Sequence, residues 1–186
     1  LKDKLNLLRV FEEGLRTKYL LHPNVMRIVT SHLDLIDDEM REDPEAQRIF
    51  LDLLLKHGNP ERSLRRMNEL GVLAAFIPEF EPIVAMMQFN MYHHFTVDEH
   101  TLKAVETIHD IERGTEKNLH PLSTELFPKI QKRRALYLAM LLHDTGKGKG
   151  DQQIEGAKQA RAAALRLGLP EHEAELVAWL VGNHLE

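Results

Sequence analysis

The sequence predicts an all-α protein, and three observations carry that expectation. Apolar residues recur at three- and four-residue spacing along most of the chain, proline caps and glycine stops punctuate that period, and no stretch alternates as a half-buried strand would. After Pro23, the residues Val25, Ile28, Val29, Leu33, Ile36 and Met40 form one apolar stripe. Asp43-Pro44-Glu45 then reads as a cap followed by a first-turn proline, and Gly58 closes that helix. Asn59-Pro60-Glu61 repeats the device, with Leu64, Met67 and Leu70 on one face before Gly71. The short run Val72-Leu73-Ala74-Ala75-Phe76 is ambiguous by periodicity alone.

The segment Ile77-Pro78-Glu79-Phe80-Glu81-Pro82 breaks helical continuity, because each proline removes a backbone donor and restricts its predecessor. A domain boundary is expected there, with residues 1–80 as a helical segment and 81–186 as a second unit. A helix from about Thr96 to Arg113 follows, then a loop holding His120-Pro121 and Phe127-Pro128, then an apolar helix from Ala135 ending at His143. The next helix runs from about Gln152 to Leu167 with Gly168 as its stop, and Pro170 starts a last one carrying Leu176, Val177, Leu180 and Val181.

At 186 residues and 43% hydrophobic content, the chain can bury one sizeable core or two small ones. No apolar stretch approaches the length of a membrane span, and no signal peptide is evident, so a soluble, cytoplasmic protein is expected. Zero cysteines exclude disulfides and thiolate metal sites, leaving His, Asp and Glu to hold any metal. A net charge of −5 with dispersed cations, apart from short runs such as Lys132-Arg133-Arg134, argues against nucleic acid as a partner. The chain begins at Leu1 without an initiator methionine and reads as a piece of a longer protein.

The pair His143-Asp144 is the most informative chemistry. It ends the run Ala135-Leu136-Tyr137-Leu138-Ala139-Met140-Leu141-Leu142 and opens into Thr145-Gly146-Lys147-Gly148-Lys149-Gly150. An imidazole and a carboxylate at the mouth of a buried helix suit a divalent cation, with Mg or Mn foremost and Fe or Zn also served by such donors. His100 lies in Thr96-Val97-Asp98-Glu99-His100, where Thr96 and Glu99 have the spacing of a capping box, which places His100 in a first helical turn. His100, His143 and Asp144 are therefore expected to converge on one metal-sized point, with Lys147 reaching a substrate phosphate. Phosphoester hydrolysis is the chemistry such a set performs.

Other residues invite the same reading with less support. His109-Asp110 is also a His-Asp pair, but its polar flanks and lack of a glycine loop mark it as a solvated helix tail outside the cluster. His93 and His94 are expected to pack on or support the site, and His184 to end a helix. Met86 and Met87 with Phe89 read as core fillers, while His22, His32, His57, His120 and His172 fall in caps, turns or exposed faces.

The blocks Tyr92-His93-His94-Phe95-Thr96-Val97-Asp98-Glu99-His100 and Leu141-Leu142-His143-Asp144-Thr145-Gly146-Lys147-Gly148 resemble the HD-domain phosphohydrolase superfamily. More narrowly, Pro60-Glu61-Arg62, the stretch from Leu64 to Leu73, Phe76 to Phe80 and Val84 to Tyr92 are similar to the bifunctional PII uridylyltransferase/uridylyl-removing enzymes of bacterial nitrogen regulation. The resemblance implies metal ligands at His100, His143 and Asp144 and a phosphate-facing lysine at Lys147. It also implies uridylylated PII as substrate, UMP as product, a nucleotidyltransferase domain before Leu1, and glutamine-sensing ACT domains after Glu186.

By the same resemblance the superfamily's closing Asp lies beyond Glu186, so residues 1–186 are expected to hold metal weakly and release little UMP. Gln152 stands where many relatives carry histidine, which disfavours a two-metal site unless Asp151 compensates. Two rivals share the sequence: an HD phosphohydrolase acting on free nucleotides, and a non-catalytic helical scaffold between domains.

Overall fold

The computed structural model describes residues 2–19, 21–87, 96–115, 121–126 and 132–183. Every regular element among them is helical, and the one β feature is an isolated bridge between Met87 and Thr96. Helix α1 (Asn6–Thr17) buries Leu7, Leu8 and Phe11. The stripe from Val25 to Met40 is divided among α2 (Pro23–Ser31), a 3₁₀ turn at Leu33–Leu35 and α3 (Asp38–Glu42). Asp37 makes the break, since its carboxylate accepts the Met40 N–H at 2.9 Å and caps a new helix. Val29, Ile36 and Met40 are buried, whereas Ile28 faces outward.

Helix α4 (Pro44–Leu55) starts where Asp43 accepts the Glu45 N–H at 2.8 Å. Helix α5 (Glu61–Glu69) starts after Asn59 accepts the Glu61 N–H at 3.0 Å. Gly58 and Gly71 follow these helices with φ of 82° and 85°, a left-handed conformation that a side chain resists. The ambiguous run at 72–76 forms α6 (Val72–Phe76), and the Phe76 ring meets Phe50 with centroids 5.4 Å apart. The proline-rich segment after it tightens into a 3₁₀ helix, Pro78–Ile83.

Helix α7 (Val97–Arg113) lies on α9 (Arg133–Leu142), whose apolar run buries Ala135, Tyr137, Leu138, Leu141 and Leu142. Between them, α8 (Pro121–Leu126) forms where a loop was expected. Pro121 is its first residue, the position at which a missing N–H costs nothing, so a turn signal proves to be a helix start. His120, Phe127 and Pro128 lie outside the described residues. Helices α10 (Gln152–Arg166) and α11 (Glu171–Gly182) form a close hairpin because small residues line the contact. A Cβ on Gly156 would stand 3.2 Å from Val181 Cγ1, and one on Gly182 would stand 3.3 Å from Ala157 Cβ.

One apolar cluster runs through the whole chain, from Leu7 and Phe11 through Phe50 and Phe76 to Leu138, Ala163 and Val177. Polar ties cross it. Gln47 donates to the Arg166 carbonyl at 2.9 Å, Arg166 grips buried Glu79 with two bonds of 2.5 Å, and Arg133 donates to the Leu55 carbonyl at 2.8 Å. The basic run at 132–134 is consumed in the same way, since Arg133 pairs with Glu112 at 2.7 Å while Lys132 and Arg134 both meet Glu173. No helix among the described residues is long and apolar enough to cross a membrane.

Candidate metal centre

The site is built where the end of α9 meets the start of α7. Burial of the α9 run leaves its C-cap residue, His143, at the edge of the core with its side chain largely covered. The ring Nδ1 lies 2.6 Å from the Met140 carbonyl, an acceptor only, so Nδ1 carries the proton and Nε2 is turned toward the carboxylate of Asp144. His143 Nε2 and Asp144 Oδ2 are 3.1 Å apart.

The following loop is a series of tight turns that holds Asp144 inward. Fully buried Thr145 bonds the Leu142 carbonyl through its N–H at 3.1 Å and its hydroxyl at 2.8 Å, and the Lys147 N–H bonds the Asp144 carbonyl at 3.0 Å. Gly146 is pressed onto α10: a Cβ there would collide with the Gln152 carbonyl and come within 2.6 Å of the Gly156 nitrogen. Gly148, at φ 79°, turns the chain toward α10, whose first turn is capped by Asp151.

His100 arrives from the first turn of α7, as expected, but through a different cap. Thr96 is the N-cap residue, yet its side chain bonds no helix N–H; its hydroxyl donates instead to Asp98 Oδ1 at 2.5 Å. Asp98, only 4% exposed, also accepts the Glu99 N–H at 3.0 Å, Asn68 Nδ2 at 2.9 Å and the Ala85 N–H at 3.0 Å. Burial raises the Asp98 pKa, but these donors outweigh it and hold the carboxyl below its usual range. The expected Thr96–Glu99 capping box is thus replaced by a carboxylate two residues before His100. Its partners Asn68 and Ala85 are distant in sequence, which hides the role from local spacing.

His100, His143 and Asp144 come together, each offering a ligand atom within 4.8 Å of the others. The two imidazole centroids are 6.3 Å apart and tilted by 56°. Asp144 is 5% exposed, and its Oδ2 is buried with no hydrogen-bond partner although His143 Nε2 is near. A carboxylate buried this deeply is costly unless its charge is offset, and two imidazoles and a carboxylate around one point are donors that suit a divalent cation. The residues therefore fit a metal ion, and three protein donors leave coordination positions for water and substrate.

Within the protein itself, charge partly fills that need. Burial lowers the proton affinity of His143, but the adjoining Asp144 carboxylate wins and holds its pKa above the usual value. Burial likewise raises Asp144, but His143, Lys147 and His100 together hold it below the carboxylate range. Lys147 Nζ lies 3.7 Å from Asp144 Oδ1, within reach of any anion drawn to the cluster.

Other expectations fall elsewhere. His109 stands apart from the cluster, but it is not a solvated tail: it is 6% exposed, on the face of α7 that also buries Leu102, Val105 and Ile108. Its polar neighbours concealed that three- and four-residue spacing. Asp151 accepts from Gln153 and Ile154 as the N-cap of α10, and Gln152 is exposed beside it. Met86 packs against the core, but Met87 is 63% exposed at the Thr96 bridge and is no core filler. Phe89, His93, His94 and His184 lie outside the described residues. Gly156, an unremarked helical glycine, proves to be what lets the metal-site loop approach α10.

Comparison with known proteins places this geometry. Residues 2–76 match the family model for the third domain of uridylyltransferase GlnD, and residues 97–186 match the HD domain. The chain is 62% identical over its whole length to a bifunctional uridylyltransferase/uridylyl-removing enzyme from Ruegeria pomeroyi, and 59% identical to one of the same name from Cereibacter sphaeroides. A third from Caulobacter vibrioides is 52% identical over 98% of the chain. In each case the chain spans 20% of the relative's length. With the helical fold, the cluster at its HD motif and both domain models in order, the chain belongs to the bifunctional uridylyltransferase/uridylyl-removing enzyme family, of which it carries the third domain and the HD domain.

Proposed function

We propose that His100, His143 and Asp144 hold a divalent metal and that this HD domain hydrolyses the phosphodiester between UMP and a modified PII signal protein, releasing UMP. The observation that carries the reading is the convergence of His100, His143 and Asp144, each offering a ligand atom within 4.8 Å of the others, with the buried Asp144 Oδ2 3.1 Å from His143 Nε2. The relatives' name, which records uridylyl removal, supports the leaving group. Mg or Mn is the favoured ion, with Fe and Zn served by the same donors.

When bound, the ion supplies Lewis acidity toward a phosphoryl oxygen and acidifies water. The chain's own residues do the rest. The Met140 carbonyl fixes the His143 tautomer, and the Asp98 network fixes the start of the helix that carries His100. Lys147, whose Nζ lies 3.7 Å from Asp144 Oδ1 at the edge of the cluster, is placed to neutralise the non-bridging phosphate oxygens. Residues 81–186 are assigned the hydrolytic role and residues 1–80 the link to the transferase portion of the family's chain. Glutamine sensing is assigned to ACT domains outside these residues.

The test measures metal stoichiometry and UMP release from uridylylated PII by the full-length enzyme and its His143→Ala and Asp144→Ala variants. Loss of metal and of removal, at least 100-fold on the order of a lost ligand's effect, with transfer retained, is the expected result. Folded variants that still bind metal and release UMP would overturn the proposal and favour the scaffold. Free nucleotides assayed in parallel distinguish the rival hydrolase.

A further inference from the structure

A cavity of about 400 Å³ opens between α1, α5 and the last residue of α7, away from the His-His-Asp cluster, and its lining is unlike the rest of this acidic chain. Lys18, His57, Arg62, Arg65, Arg66 and Arg113 surround it, against one acidic lining residue, Glu69. Three of these side chains are spoken for: Arg65 pairs with Glu61, Arg66 with Glu69 and His57 with Glu12. Lys18, Arg62 and Arg113 meet no carboxylate among the described residues. On other faces several guanidinium groups are met, as Arg48 is by Glu45 and Asp52, and Arg161 by Glu171 and Glu175. The cavity thus gathers three cations that meet no carboxylate among the described residues, on a chain of net charge −5.

The remaining walls are of a different kind. Val10, Phe11 and Leu15 form an apolar side, and Tyr19, 79% exposed, stands at the edge. A mixed wall of this sort suits a ligand with one strongly anionic end and one flat apolar part, and the volume falls in the range of small-molecule sites. Guanidinium forks favour phosphate oxygens, which they can bind in pairs, and an accessible aromatic ring favours stacking. We infer that this cavity is a binding site for an organic phosphate of nucleotide size, distinct from the His-His-Asp cluster. The two sites share α7, with His100 in its first turn and Arg113 at its end, roughly 20 Å apart along the helix axis.

The test is calorimetric titration of the 186-residue chain with ATP in EDTA, which removes any metal from the other site. Tripolyphosphate and adenosine serve as charge-only and ring-only probes. ATP should bind more tightly than either. Arg62→Ala and Arg113→Ala should each weaken it about tenfold or more, the loss expected for one charge-assisted contact. Asp144→Ala should leave ATP binding unchanged. Circular dichroism checks that both arginine variants remain folded. The inference is overturned if ATP does not bind at millimolar concentration, if tripolyphosphate binds as tightly as ATP, or if the folded arginine variants bind as the parent does. An acidic peptide that displaces ATP at lower concentration than ATP itself binds would reassign the cavity to a protein partner and overturn it equally.

Discussion

At the scale of single residues, Asp98 and His109 make opposite demands on the same helix. Asp98 accepts four hydrogen bonds, two on each oxygen, so an amide nitrogen in place of Oδ2 would face two donors. Asp98→Asn should cost about 2–3 kcal/mol, the range for bonds to a buried charge, and should weaken metal binding by misplacing the first turn of α7. Urea unfolding and competition with a chelator read the two effects separately, and unchanged metal affinity would show that His100 is held by other means. His109 has a buried Nε2 without a partner, and burial first, then the Arg113 charge, push its pKa below the usual value. The unfolded chain then binds the proton more readily, so stability is full above the ordinary histidine pKa and is lost as pH falls from there toward the folded value. His109→Leu should flatten that loss as pH falls below the ordinary histidine pKa of about 6.5, and equal pH slopes for both proteins in urea unfolding would contradict the assignment.

At the scale of elements, the loop between α9 and α10 is fitted to its neighbours more tightly than its glycine-rich sequence suggests. Gly146→Ala should destabilise the protein by about 2–3 kcal/mol through overpacking, because the new methyl meets the Gln152 carbonyl and Gly156; a denaturation midpoint equal to the parent's would rule out that close approach. Asp151→Ala should cost about 1 kcal/mol as the loss of a cap while leaving metal affinity unaltered, since its carboxylate serves Gln153 and Ile154. A drop in metal affinity would instead make Asp151 part of the site. The apolar lead into His143 and the glycine loop after it were legible because both are contiguous, and the start of α7 was legible from Thr96. What escaped depends on contacts across the chain: Asn68 reaching Asp98, Gly156 receiving Gly146, and the buried face of α7 reaching His109 behind polar flanks. The break at Asp37 escaped for another reason, because an apolar stripe continues through it while a capping carboxylate restarts the helix.

At the scale of the whole molecule, one apolar cluster spans both family matches, and side chains from the first half are bonded to the second. Gln47 reaches the end of α10, Glu79 is enclosed by Arg166, and the Leu55 carbonyl takes a bond from Arg133. Residues 97–186 expressed alone should therefore expose apolar surface, bind a hydrophobic dye and melt without a sharp transition, whereas the full 186 residues should unfold in one step. A cooperative melt of the shorter chain would show that the second half carries a sufficient core by itself. The tie between Asn68 and Asp98 gives this continuity an evolutionary reading. This HD domain moved by recombination onto another set of preceding helices would lose the Asn68 donor, one of the four that hold Asp98 at the start of the helix carrying His100, so the two segments are coupled through that carboxylate.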